Sequence, residues 1–163
     1  MGGVGQRLLN AACVVAVIHA LPSFYWAAGG SAFVWTVGSW ASDLQRDRPV
    51  LTAFTLGVVG ILKLAGGVVP LFNAAGRLRA PRVWWWACVA GGVVLVFWGG
   101  ANTVLGGASL LGAFGAVSPA DRHALAGHVL LWDPLFLIWG ALLLLGLRAP
   151  ARSVRAADHP EVS

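Results

Sequence analysis

The sequence predicts an all-α integral membrane protein, a bundle of four transmembrane helices with both termini in the cytoplasm. The 163 residues are 58% hydrophobic and only 10% charged, and their mean hydropathy is +0.78. Soluble domains carry about 25% charged residues. Four apolar runs are long enough to cross a bilayer, and arginines cluster between them. A soluble fold of this length has too little interior to bury so much apolar surface.

Windows of about 20 apolar residues define the four spans. They cover residues 8–28, 51–72, 83–104 and 124–147, within a transmembrane domain that we expect over residues 1–149. The polar remainder, residues 150–163, has no apolar periodicity, and we expect a disordered cytoplasmic tail there.

The first span begins like a signal peptide, because Arg7 precedes an apolar run. However, Trp26 stands where a cleavage site needs a small residue, and the run is long enough to span the membrane. We therefore expect a retained anchor.

The loop between the second and third spans carries part of an arginine bias that sets the orientation. Seven arginines fall on one side of the bundle, namely Arg7, Arg77, Arg79, Arg82, Arg148, Arg152 and Arg155. The other side has Arg46, Arg48 and Arg122, and Asp43 and Asp47 offset the first two. The bias predicts a multi-pass protein of the cell membrane whose termini and 73–82 loop are cytoplasmic.

The outer loop over residues 29–50 is too apolar for a free loop and too short to cross the membrane. Two interpretations remain open. The loop lies along the outer interface as an anchor, or it folds over the bundle as a lid.

Three ionisable residues fall inside the predicted spans, and they are the candidate catalytic residues if the protein is an enzyme: His19, Lys63 and Asp133. A charge at the centre of a membrane helix costs about 2.5–3.5 kcal/mol, and such residues usually face the bundle interior and pair. From the rise per residue, they lie roughly 13, 18 and 13 Å from the outer edge. These depths adjoin, so the hypothesis is that Lys63 reaches towards Asp133 with His19 beside them.

Each of these residues also has a purely structural interpretation. Asp133 before Pro134 is a good helix N-cap, or accepts from backbone freed by a kink. Lys63 extends its ammonium towards the interface, and His19 satisfies backbone freed by Pro22.

Other chemistry is less well supported by the spacing of the residues. His19, His123 and His128 do not show a metal-binding spacing with Asp133, and we expect no metal and no cofactor. The two cysteines form no C-x-x-C pair, so thiol–disulfide exchange is disfavoured.

Two stretches resemble a known family. HALPSFYWAAGG at 19–30 is similar to the H-x(n)-Y-W-A-x-G-G signature that ends the first helix of the domain-of-unknown-function 3995 proteins. These are small four-helix membrane proteins of GC-rich bacteria. LLWDPLFLIWGALLLLG at 130–146 resembles their fourth helix. The resemblance covers about residues 8–147. It implies the four-helix fold, a bacterial inner membrane, and a recurrent structure at the outer end of helix one formed by Tyr25, Trp26, Gly29 and Gly30.

The leading functional prediction is a non-enzymatic membrane module that binds a lipid or another apolar molecule in an outer-facing cavity. The candidate ligand-binding residues are Tyr25, Trp26, Trp98, Asn102, His128 and Trp132. One alternative is an acid–base enzyme, an isomerase or cyclase that acts on a polyprenoid or sterol-like substrate. The other is a subunit of a larger membrane complex or a homo-oligomer. The short arginine clusters between apolar runs indicate the lipid bilayer as partner and no nucleic acid.

Overall fold

The computed structural model describes residues 3–149, so the predicted tail lies outside the described residues. The helices are α1 (Gly3–Ala27), α2 (Ser39–Asp47), α3 (Pro49–Ala74), α4 (Pro81–Leu110), α5 (Pro119–Gly127) and α6 (Asp133–Arg148). A 3₁₀ turn at Val34–Thr36 precedes α2, and a π-helical turn at His128–Trp132 joins α5 to α6. This part of the chain contains no strand.

Four helical segments within residues 3–149 are long and apolar enough to cross a membrane. Three of them are α1, α3 and α4, and the fourth runs from Asp121 to Arg148 through α5, the π turn and α6. The prediction of an all-α membrane protein with four spanning helices is confirmed.

Proline stands in the first turn of three helices. Proline suits the first turn, because its missing N–H would have no helical partner there and its fixed φ is already helical. The residues in this position are Pro49, Pro81 and Pro119. Ser118 also caps α5, since its hydroxyl oxygen accepts a hydrogen bond from the Asp121 N–H at 3.2 Å.

A glycine turn ends α1. Gly29 has a φ of +90°, a conformation that glycine adopts without strain. The Gly30 N–H donates to the Tyr25 carbonyl and the Gly29 N–H to the Trp26 carbonyl, both at 3.0 Å. This is the Schellman arrangement, which stops the helix and turns the chain back over the bundle.

The spanning helices pack in the order α3, α1, α6, α4, with neighbours antiparallel. Gly60 on α3 meets Phe24 near the end of α1, whereas Gly67 meets Ala16. At the other face of α1, Leu9 packs on Gly146 of α6. The start of α1 and the end of α6 therefore lie at one end of the bundle, here called the arginine end. We call the opposite end, where α1 finishes, the capped end.

Small residues hold α4 close to the fourth span. Gly92, Gly99 and Gly106 recur every seven residues and are buried. A Cβ added at these positions would lie 2.9 Å from Leu144, 2.6 Å from the Leu137 nitrogen and 2.6 Å from Val129, respectively. Small residues allow such close approach in membranes. These three glycines are used inside the chain and are not available to a partner protein.

Residues 28–48, the capping segment, fold over the capped end. Val34 and Thr36 are buried, and a Cβ at Gly127 of α5 would lie 2.6 Å from the Thr36 Cβ. Val34 forms a small apolar cluster with Trp26 and Trp132. The segment thus covers one end of the bundle through its 3₁₀ turn, whereas α2, the short helix that follows, has no buried residue.

Candidate functional site

A cavity of about 190 Å³ lies between α1, α3, the π turn and the capping segment. Its polar wall consists of His19, Ser23, Lys63 and His128. Its apolar wall contains three aromatic rings and several aliphatic side chains, namely Trp26, Trp132, Phe136, Pro22, Val37, Leu56 and Val59. Five of the nine predicted site residues line this cavity: His19, Trp26, Lys63, His128 and Trp132.

Lys63 reaches across from α3 to α1. Its Nζ donates to the Ser23 hydroxyl at 2.9 Å and to the His19 carbonyl at 3.2 Å. It also lies 5.9 Å from the centre of the Phe136 ring. An ammonium group has three N–H donors, so these two hydrogen bonds leave one donor for a further acceptor.

His19 is 3% exposed and stacks near two aromatic rings. Its ring centre lies 4.0 Å from that of Phe136 and 5.7 Å from that of Trp132. Neither ring nitrogen has a hydrogen-bond partner among residues 3–149. His19 therefore does not satisfy backbone freed by Pro22 within the described chain, and its polar atoms are unused beside the cavity.

The hypothesis that Lys63 pairs with Asp133 does not match the geometry. No ion pair joins them in the described part of the chain. Lys63 uses Ser23 and the His19 carbonyl, while the Asp133 carboxylate lies 3.5 Å from His128 Nδ1. The reason is that Lys63 projects from α3 onto α1, the neighbouring helix, and Asp133 turns towards its own preceding turn.

The π turn explains why Asp133 sits inside an apolar run. The Asp133 N–H donates to the His128 carbonyl five residues back, and the helix continues through Pro134 without a break. Asp133 is therefore not the N-cap of a helix that starts there. The wider turn brings His128 and the Asp133 carboxylate, which is 3% exposed, onto one side. π turns of this kind are frequent at functional sites.

His128 also contacts the capping segment. Its Nε2 lies 3.4 Å from the Val37 carbonyl, opposite the Nδ1 that faces Asp133. His128 thus bridges the π turn and the cap.

The two buried tryptophans anchor the same segment. Trp26 Nε1 donates to the Ala32 carbonyl at 2.8 Å, and Trp132 Nε1 donates to the Thr36 hydroxyl at 3.0 Å. Their rings meet edge to face at 5.6 Å. Their indole N–H groups bind the capping segment through hydrogen bonds, while both side chains contribute to the cavity wall.

Four predicted site residues do not line the cavity. Asp133 is buried behind His128. Tyr25 is half exposed, and its hydroxyl accepts from the Ala32 N–H at 3.3 Å. Trp98 and Asn102 lie on α4, which contributes no residue to the cavity wall, and Trp98 is 58% exposed. Trp98 and Asn102 do not reach the cavity because α4 is diagonal to α1 in the bundle.

A second cavity of about 180 Å³ adjoins the first. The two share four wall residues, namely Trp26, Val37, Leu56 and Val59. The second cavity extends between α2 and α3, where its wall includes Trp40 and Leu44. It offers a mainly apolar space next to the polar wall of the first.

Metal binding finds little support in the side chains of residues 3–149. His128 and Asp133 adjoin each other, but no group of three His, Cys, Asp or Glu side chains is found in that range. Cys13 and Cys88 are free thiols on different helices.

Sequence reasoning missed Ser23 and Phe136. Ser23 follows His19 by four residues, so a helix places both on one face. That spacing was a usable signal. Phe136 carried no signal, because one phenylalanine in an apolar helix looks like any other lipid-facing residue.

The fold and the cavity define a class of protein: a small membrane protein with four spanning helices and a polar cavity near one end of the bundle. The chain belongs to the family described as "Protein of unknown function (DUF3995)", whose sequence profile matches residues 16–143. The family resemblance drawn from the sequence is thereby confirmed. Comparisons with curated proteins and with solved structures give no match.

Proposed function

We propose that the protein binds an apolar molecule carrying an oxygen-containing polar group, in the cavity at the capped end. The observation that carries the proposal is His19, whose two ring nitrogens lack a partner within residues 3–149 although the residue is buried. Buried polar groups nearly always have a partner, and leaving one without costs about 1–3 kcal/mol. A bound ligand supplies that partner.

The cavity wall defines the chemistry of the ligand. Lys63 offers one further N–H donor, and a neutral imidazole offers one donor and one acceptor. A hydroxyl, carbonyl or carboxylate oxygen satisfies the donors. The rings of Trp26, Trp132 and Phe136 favour an apolar body. The ligand class is therefore an oxygen-bearing lipid.

The size of the ligand follows from the two adjoining cavities. Small-molecule sites usually measure about 300–1,000 Å³. The first cavity, at about 190 Å³, is smaller than that, but the second adds about 180 Å³ across Leu56 and Val59. The polar group of the ligand lies at His19 and Lys63, and its apolar body displaces these two side chains to extend between α2 and α3.

The arginine bias supports an outer-leaflet location for the site. Arg77, Arg79 and Arg82 follow α3 at the end opposite the cap. The positive-inside rule assigns that end to the cytoplasm and the capped end to the outer face. The ligand then enters from the outer half of the bilayer.

Extraction of copurifying molecules tests the proposal. The wild type and the variants His19→Leu and Lys63→Met are purified in detergent, and bound lipids are identified by mass spectrometry. We expect the wild type to carry an oxygen-bearing lipid. Lys63→Met should lose it roughly tenfold or more, since a hydrogen bond to a charged group contributes about 1.5–3 kcal/mol. His19→Leu should lose it roughly fivefold, since a hydrogen bond between neutral groups contributes about 1 kcal/mol. His123→Leu and Arg122→Met, both at exposed positions of α5, are the matched controls.

Two results contradict the proposal. The first is a wild type that carries no such lipid, which leaves water as the partner of His19. The second is a pair of monodisperse cavity variants that retain the lipid at the level of the controls.

A membrane-embedded acid–base enzyme is a second candidate, and one observation favours it. The His19 ring lies beside the rings of Trp132 and Phe136, and the faces of aromatic rings stabilise a developing carbocation. His19 would transfer the proton, with Lys63 beside it. Incubation in heavy water distinguishes the two functions. Catalysis places deuterium on carbon in the bound lipid with the wild type and not with His19→Leu, whereas binding alone places none.

A further inference from the structure

A groove of about 640 Å³ separates α3 from α4. Leu62 and Pro70 border it on α3, Trp84 and Gly91 border it on α4, and Trp139 and Leu143 form its floor. Apart from the Cys88 thiol and the indole N–H groups of Trp84 and Trp139, the side chains of its wall are apolar. It is separate from the cavity at the capped end, because the two share no wall residue.

Small residues keep the groove open. A Cβ added at Gly91 would meet no described atom within 4 Å, although the adjacent Gly92 packs tightly on α6. From Trp84 to Leu95 the groove follows α4 for about 17 Å. That is about half of the roughly 30 Å hydrocarbon core, so the groove has the length of one leaflet. Only an apolar occupant fits at this depth.

Positive charge lies at the end of the groove. The α3–α4 loop carries Arg77, Arg79 and Arg82, all exposed, directly after α3 and at the start of α4. The stretch of chain from residue 48 to residue 120 contains no aspartate or glutamate. These arginines thus have no carboxylate on their own loop or on the two helices that it joins.

The loop that presents the arginines is held in a defined shape. The Arg77 N–H donates to the Phe72 carbonyl at 3.0 Å, in a turn where Gly76 has a φ of +67°. Asn73 Nδ2 donates to the Pro81 carbonyl at 3.1 Å and closes the loop. The backbone of the loop is therefore held between the end of α3 and the start of α4, where Pro70 and Trp84 border the groove.

We propose that this groove binds an anionic phospholipid of the surrounding bilayer. One acyl chain lies between α3 and α4, and the phosphate headgroup contacts the arginines of the loop. Arginine pairs with phosphate through two parallel hydrogen bonds, and basic clusters between membrane helices attract anionic headgroups. A second copy of the chain is a poorer occupant, because side-by-side copies in one membrane bring the same arginines together.

Native mass spectrometry of the detergent-purified protein tests the site. The probes are palmitoyl-oleoyl phosphatidylglycerol, which is anionic, and palmitoyl-oleoyl phosphatidylcholine, which has no net charge. We expect the wild type to bind phosphatidylglycerol more tightly. Each arginine near a headgroup changes affinity roughly fivefold, so Arg79→Gln combined with Arg82→Gln lowers the preference by about 25-fold. Arg122→Gln, at the capped end, leaves it unchanged.

A second variant tests the groove itself. Gly91→Leu fills the open space and is expected to reduce phosphatidylglycerol binding at least fivefold. Gly57→Leu on α3 is the matched control, because a Cβ there also meets no described atom within 4 Å and Gly57 does not line the groove. Ala87→Leu, also in the groove wall, replaces Gly91→Leu if that variant is not monodisperse.

Three outcomes overturn the proposal. One is equal binding of the two lipids by the wild type. Another is an unchanged affinity in both Gly91→Leu and Ala87→Leu. The third is a dimer that Gly91→Leu dissociates while lipid binding stays the same, since a second copy then occupies the groove.

Discussion

Lys63 is the only lysine of the chain, and it lies in the middle of a membrane-spanning helix. Its ammonium group is compensated by the Ser23 hydroxyl and the His19 carbonyl, two neutral acceptors on α1. Both acceptors are neutral, and no carboxylate within residues 3–149 pairs with Lys63. The ammonium group can therefore still attract an acceptor from a ligand. At the scale of single residues, this is the feature most suited to binding.

A double-mutant cycle tests whether Lys63 and Asp133 are independent. They share no hydrogen-bond partner, since Asp133 adjoins His128 and Lys63 contacts α1. We expect the losses in unfolding free energy caused by Lys63→Met and Asp133→Asn to add within about 0.5 kcal/mol in the double variant. Thermal unfolding in detergent measures this. Recovery of stability in the double variant would show that the two residues are coupled after all.

Individual residues show how far sequence reasoning reaches. His19 and Lys63 could be predicted because a polar residue inside an apolar run is visible in the sequence itself. Its detection does not require knowledge of the residues that contact it in the fold. The partner of Lys63 was not predictable, because it depends on helix order and rotation. The same limit applies to tryptophans: Trp26 and Trp132 face inwards and Trp98 faces outwards, yet all three sit in similar apolar stretches.

At the scale of elements, α4 has two different faces. Gly92, Gly99 and Gly106 form a close seam with the fourth span, whereas Gly91 opens onto the groove beside α3. Adjacent glycines in a pair therefore serve different purposes. One allows tight helix packing, and the other leaves open the groove in which we propose that a lipid binds.

A pair of alanine substitutions distinguishes the two kinds of glycine. A Cβ at Gly99 would lie 2.6 Å from the Leu137 nitrogen, whereas at Gly100 it would meet a Leu137 methyl at 3.8 Å. We expect Gly99→Ala to lower the unfolding free energy by about 1–3 kcal/mol through overpacking. Gly100→Ala should be neutral or slightly stabilising, because alanine favours the helix. Chemical unfolding in mixed micelles measures the unfolding free energy of both variants. Equal losses would contradict the close packing of Gly99 against the fourth span.

The elements that could not be predicted from the sequence are those without a continuous or periodic pattern of apolar residues. The spans were predictable because each is a continuous apolar run. The π turn was not predictable, because a five-residue turn that is wider than an α-helical turn does not change the amino-acid composition. Pro134 indicated only that the helix is irregular near this position. For residues 29–50 the anchor and lid interpretations stayed open, since packing over the bundle depends on Gly127 and Trp132, far along the chain.

At the scale of the whole molecule, the chain is a four-helix bundle that is closed at one end and rich in arginine at the other. The two proposed lipid sites are separated along the same axis. The cavity of His19 and Lys63 lies at the capped end, and the groove beside Gly91 extends towards the arginine end. On the two proposals, each site faces a different leaflet.

Cysteine labelling tests the orientation on which this assignment depends. Arg79→Cys and Ser39→Cys, two exposed positions, are introduced separately in a background with Cys13→Ala and Cys88→Ala. We expect a membrane-impermeant maleimide to label position 79 only in inverted vesicles and position 39 only in right-side-out vesicles. The reverse labelling pattern would show that the protein has the opposite orientation, with the ligand cavity in the cytoplasmic leaflet.

The hydrogen bond between Trp132 and Thr36 joins residues that are 96 positions apart. During synthesis, Thr36 leaves the ribosome long before Trp132 does. The first three spans can therefore enter the membrane while the capping segment still lacks its most distant anchor and its contact with Gly127. The cavity beside His19 becomes enclosed only when the last span arrives. The proposed ligand site is therefore completed by the translation of the final quarter of the chain.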